Sequence, residues 1–145
     1  MARLEVDVKQ LHVLTARVER DLTQIGSTMR AIARYQEKSV KRNFELERSP
    51  DGKPWQQLEA ATLKRKKGSG ILRESGDLMD SITVVVSGLK ATLESRLVYS
   101  ATHQYGDTSR GIPQREYMGV SQEDEKELIQ IVRKDVKKLL KQYGR

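Results

Sequence analysis

From Val8 to Ile32 the apolar residues of this chain recur every three or four positions: Val8, Leu11, Leu14, Val18, Leu22, Ile25, Met29 and Ile32. That is the spacing of one helix face. The stripe continues, more polar, through Val40 to Phe44, until "SPDGKP" (Ser49 to Pro54) ends it. Pro50 disfavours helical geometry at Ser49, and Asp51-Gly52 is a strong turn former. One helix of that whole length would be unusual in a globular domain. Asp21 offers a cap and Gly26-Ser27 a break, so two helices are expected, over roughly 9–20 and 24–47. An unbroken rod stays open, because a Gly inside a helix costs only about 1 kcal/mol.

The other segments have different periods. "RLEVDV" alternates Leu4, Val6 and Val8 with charged residues, as a half-buried strand does. Ile82 to Val86 is β-branched, "SGLK" (Ser87 to Lys90) reads as a hairpin turn, and Leu93, Leu97 and Tyr99 continue a return strand. "LKRKKGSG" (Leu63 to Gly70) is the most loop-like stretch. "ATHQYGDTSRGIPQREYMGVS" reads as a short helical turn followed by a long structured loop. From Ser121 to Tyr143 the reading is a capped amphipathic helix. Ser121 and Asp124 form a capping box, acids stand at its start and bases at its end, and Leu128, Ile129, Val132, Val136, Leu139, Leu140 and Tyr143 make the apolar stripe. The expected fold is therefore α+β, a single domain over 1–145. A small antiparallel sheet (a hairpin over about 81–99 plus the N-terminal strand) packs with a long N-terminal helical region and a C-terminal amphipathic helix.

Composition limits the function. Of the 145 residues only 5% are aromatic and 37% hydrophobic, a lean core that gains from burial against neighbouring subunits. The formal net charge of +7 favours an acidic partner. No Cys is present, which excludes disulfides, thiol catalysis and Cys-based zinc sites. No apolar run reaches the roughly 20 residues needed to span a bilayer, and "MARLEVDVKQ" lacks a signal-peptide block, so a soluble protein made in the cytoplasm is expected.

Chemistry-bearing residues are few. His12 and His103 are the two histidines. His103, near Asp107, could act as a general base, but no nucleophile accompanies it and no metal-ligand spacing is present. No phosphate-cradling loop occurs. No catalytic, cofactor or metal site is expected. Lys64, Arg65, Lys66 and Lys67 could contact phosphates or an acidic partner, yet no aromatics are interleaved for base stacking.

The remaining motifs have a family order. "NF", "SPDGKPWQQLEAAT", "ILRESGDLMDSI", "YSATHQYGD" and "IPQREYMGVSQED" follow one another between Asn43 and Asp124. This pattern resembles the phage virion morphogenesis family, the tail completion proteins of Mu-like and related tailed phages. The matching positions are Phe44, then Pro50, Asp51, Gly52 and Trp55, then Thr62 before the basic run. They continue with Ile71, Leu72, Ser75, Gly76 and Leu78, then His103, Gln104 and Gly106, and end with Pro113, Arg115, Tyr117 and Gly119. The resemblance covers roughly the middle and C-terminal two-thirds; the N-terminal helices fit the family's layout without a diagnostic motif.

What the resemblance implies is a non-enzymatic virion component, assembled in the bacterial host cytoplasm. It would form a ring of identical copies, six in number, at the head–tail junction. Its neighbours would be the tail tube or tail terminator protein and the head connector or adaptor, with non-specific contact to packaged DNA and no membrane. Trp55 would pin the post-helix turn onto the hairpin and the "PQREYMG" loop. Arg115 would form an intersubunit ion pair, and His103 and Gln104 would hydrogen-bond backbone near the same loop. The competing reading is a non-specific DNA-binding accessory protein, and a third is a hydrolase using His103 and Asp107.

Overall fold

The computed structural model describes residues 1–7, 22–66 and 70–143. The helix expected over 9–20, with His12, and the base Lys67 lie outside the described residues. In chain order the elements are β1 (Ala2–Asp7), α1 (Leu22–Leu46), α2 (Ala60–Arg65), α3 (Asp77–Asp80), β2 (Thr83–Ser87), β3 (Lys90–Ser95), α4 (Ser100–Tyr105) and α5 (Gln122–Tyr143). A 3₁₀ turn, Thr108–Arg110, follows α4. The strands form one antiparallel sheet in the order β1-β3-β2, so the fold is α+β as expected.

Two compact units are built from interleaved segments. The first comprises Met1–Leu4, Lys38–Thr83 and Glu94–Gly119; the second comprises Glu5–Glu37, Val84–Leu93 and Val120–Arg145. In the second unit the predicted stripe is the core of α1: Ile25, Met29, Ile32 and Ala33 are all buried, as are Leu128, Val132 and Leu139 of α5. Gly26 lies inside α1 rather than breaking it. The capping box closes α5 in both directions, Asp124 N–H to Ser121 Oγ at 3.0 Å and Ser121 N–H to Asp124 Oδ2 at 2.9 Å. Tyr35 Oη donates to the other oxygen of Asp124, and Thr28 Oγ1 to Asp135 Oδ2 at 2.6 Å, so both helices exchange side-chain bonds within this unit. The stripe of α5 is narrower than its sequence suggests, because Leu140 is 56% exposed.

In the first unit α1 ends at Leu46, before the proline turn is reached. Glu47 takes a left-handed φ of 51°, and Arg48 N–H bonds Asn43 O at 3.1 Å. This is the six-to-one bond of a Schellman cap with Glu where Gly is usual. Only then does the chain reverse. Ser49 N–H bonds Lys53 O, Gly52 N–H bonds Ser49 O with Gly52 at φ 89°, and Arg48 pairs with Pro54.

Two expected boundaries change. The return strand stops at Ser95, short of Leu97 and Tyr99, because Ser100 N–H turns back to Leu97 O while Val98 stands 91% exposed. The stretch read as loop from Leu63 is helical as far as Arg65, for α2 starts at Ala60 and includes Lys64 and Arg65.

Candidate interaction site

Most of the motif residues fall in the first unit, in two adjoining sets of contacts. The first is a packed aromatic anchor. Phe44 of α1 meets the Trp55 ring edge-on at 5.8 Å and the Tyr117 ring at 4.9 Å, and all three are at most 3% exposed. Aromatic pairs at these spacings contribute beyond the area they bury. Trp55 Nε1 donates to Glu116 O at 2.8 Å, and Tyr117 Oη to Ser100 O at 3.0 Å. Burial holds the Tyr117 phenol well above its ordinary pKa. Trp55 therefore pins the turn to the 112–119 loop, with α1 supplying its aromatic partner.

Gln104 fixes the same loop from α4. Its Oε1 accepts from the N–H groups of Tyr117 and Met118 at 3.1 and 3.0 Å, and its Nε2 donates to Met118 O at 2.8 Å. Three otherwise buried main-chain groups are thus satisfied by one side chain. Asn43 Nδ2 adds a bond to Tyr117 O. Two glycines allow close approach here. A Cβ on Gly119 would lie 2.6 Å from Pro50 Cγ, and one on Gly106, at φ 76°, would lie 2.9 Å from Gln114 N. Pro113 is half-buried in the same loop, directly after the Asp107–Ile112 bridge. Asp51 is exposed and caps its own turn through Lys53 N–H.

The second set lines a cleft of about 480 Å³. Residues from four separated motifs converge on it: Thr62 from α2, Leu72, Ser75 and Leu78 from the segment around α3, His103 from α4, and Arg115 from the loop. Arg65 and Lys66 stand on the same cleft, as do Leu58, Glu74 and Tyr99. Gly76, at φ 81°, caps α3 from a left-handed conformation, and Leu72 is itself at φ 59°, unusual for a bulky side chain. Lys64 is exposed on α2.

Arg115 is also engaged within its own chain. It is 6% exposed, and its Nε donates to Gln56 O at 2.9 Å with Nη2 at 3.5 Å from Gln57 O. Its main-chain N–H bonds His103 O at 2.8 Å. Arg115 thus staples the 113–119 loop to the segment after Trp55 and lines the cleft. Burial moves the guanidinium below its ordinary pKa. The main chain of His103 takes part in the same network, and its buried Nδ1 has no hydrogen-bond partner among the described residues. Burial, and then the charge of Arg115, hold its imidazole below the usual pKa.

Sequence reasoning passed over Asn43, Glu47 and Ser100. Asn43 carried a signal, a polar residue at a buried position of an apolar stripe. Ser100 Oγ accepts Ala2 N–H at 2.9 Å and donates to Ser95 O, a link that no local pattern announces.

Comparison with known proteins places this architecture. A profile of the phage virion morphogenesis family matches residues 6–137. The chain belongs to the phage virion morphogenesis family. It is 32% identical over 144 residues to the putative capsid assembly protein G of Escherichia phage Mu, covering 87% of this chain and 92% of that protein. No solved structure matches. The family's role makes this chain a phage structural and assembly protein, associated with the virion and with other virion components. Among the described residues no helix is long and apolar enough to cross a membrane.

Proposed function

We propose that this family member works at the head–tail junction, as a tail completion or neck protein. Six copies close into a ring that caps the finished tail, against the tail tube or terminator protein, and offers a surface to the head connector or adaptor. The mechanism is binding alone, with no bond made or broken and no cofactor. Family membership across residues 6–137 carries this reading. The surface supports it: Val98, Tyr99 and Tyr105, within eight residues of one another in sequence, are 91%, 40% and 61% exposed, large apolar side chains open to a protein neighbour.

Deletion of the gene in its phage tests the proposal. The expected result is full heads and separate tails, with imaging of complemented particles placing the ring at the joint. Joined, normal particles would overturn it. A second reading, a DNA-binding accessory protein, is favoured by exposed Lys64 and Arg65 on α2. It requires the isolated chain to bind naked DNA with a steep salt dependence, whereas the ring reading expects assembly with little DNA affinity.

A further inference from the structure

The cleft of the first unit holds more positive charge than its own residues neutralise. Arg115 lines it, 6% exposed, bonded to main-chain oxygens and to no carboxylate among the described residues. Among the described residues, Arg65 and Lys66 add two bases to the lining, against one acid, Glu74. The buried Nδ1 of His103 is left without a partner among the described residues, and Leu72 and Leu78 add apolar side chains to the lining. Such a cleft fits a segment that brings a carboxylate together with an apolar side chain.

The inference rests on the ring reading above. A closed ring of identical copies needs two different, complementary patches on each copy. The complement to the cleft stands in "VSQEDEKE", Val120 to Glu127, where four acids accompany one Lys. Asp124 is committed to the helix cap and to Tyr35. Glu123, Glu125 and Glu127 are exposed, and Val120 is 41% exposed beside them. We propose that the cleft of each copy receives the Val120–Glu127 segment of the next. Val120 packs against Leu72 and Leu78, and a glutamate carboxylate reaches the Arg65, Lys66 and Arg115 cations.

The test uses charge reversal at positions outside the packed core, read by sedimentation velocity at matched concentrations. An acceptor variant carries Arg65→Glu and Lys66→Glu; a donor variant carries Glu123→Lys and Glu125→Lys. Each alone should weaken assembly at least tenfold while keeping the wild-type circular dichroism. An equimolar mixture should recover it, since one variant keeps a good cleft and the other a good donor segment. A Glu123→Gln, Glu125→Gln variant repeats the donor arm should the lysines unfold α5. Wild-type assembly by either charge-reversed variant overturns the proposal. So does recovery in a single chain bearing all four reversals without recovery in the mixture, which would mean pairing within one copy. A wild-type protein that never self-assembles removes the ring reading along with this one, whereas a ring indifferent to the charges removes this one alone.

Discussion

The indole N–H of Trp55 bonds the main-chain oxygen of Glu116 at 2.8 Å, across 61 residues of sequence. The bond fastens the turn after α1 to the 112–119 loop, and Phe44 closes the contact from the other side. Trp55→Phe keeps the ring and loses the donor, leaving Glu116 O short of a partner, and should cost about 1 kcal/mol. Trp55→Ala should cost about 3–5 kcal/mol. Urea midpoints followed by circular dichroism measure both. Because Trp55 is the only Trp, its emission in the wild type reports this contact alone and should be blue-shifted until the midpoint.

Two close approaches within the loop predict intolerance of a single methyl group. Gly119→Ala sets a Cβ 2.6 Å from Pro50 Cγ, and Gly106→Ala sets one 2.9 Å from the Gln114 main chain in a left-handed conformation. Each should destabilise by about 1–3 kcal/mol. Gly52→Ala, at φ 89° but with open space around it, should cost less than Gly106→Ala, since it meets no clash. Thermal midpoints of the three variants check the order.

Gln104 offers a sharper test of the loop network. Gln104→Glu keeps the acceptor for Tyr117 and Met118 N–H but turns the Nε2 donor into an oxygen facing Met118 O at 2.8 Å. A buried main-chain oxygen then loses its donor, and the loss should be about 2 kcal/mol or more. An unfolding midpoint at the wild-type value would show that Gln104 does not hold the loop.

These predictions lean on residues that a first reading of the chain found unequally. Trp55, the Ser87–Lys90 turn and the Ser121–Asp124 cap were legible because each is a short local pattern with one geometric solution. The inward role of Arg115 was not. An Arg in a polar loop looks solvated until the oxygens of Gln56 and Gln57 are seen around it. Nor was α2, since "LKRKK" repels itself as a chain fragment and gives no apolar period. The convergence of Thr62, Leu72, Leu78 and His103 on one cleft is tertiary, and no spacing encodes it.

Two ionisable groups set a pH dependence. Asp107 is held down to about 2 from an ordinary 3.8, first by the Ser109 hydroxyl, then by Arg110. Its folded pKa is depressed, so its contribution is complete above about 4 and lost as pH falls toward 2. His103 is also depressed, by burial and then by Arg115, from an ordinary 6.5. Protonation therefore favours the unfolded chain, and stability should fall as pH drops below 6.5 through its folded pKa. Thermal midpoints from pH 8 to pH 2 should show both losses. The upper should vanish in His103→Gln and the lower in Asp107→Asn.

Glu47 separates backbone strain from side-chain bonding at a helix end. It occupies φ 51°, where a non-glycine residue costs about 1–2 kcal/mol. Its Oε1 nevertheless accepts Ile71 N–H at 2.7 Å and lies 3.8 Å from Arg73. Glu47→Ala removes the acceptor and keeps the strain; Glu47→Gly removes both. Glu47→Ala should therefore be the less stable of the two by about 1 kcal/mol, with the wild type above Glu47→Ala by a similar amount for the lost bond. Hydrogen exchange at the Ile71 amide checks the cause, because it should quicken equally in both variants while only the thermal midpoint tells them apart. Equal midpoints for the Ala and Gly chains would mean that the left-handed turn at Glu47 stores no strain.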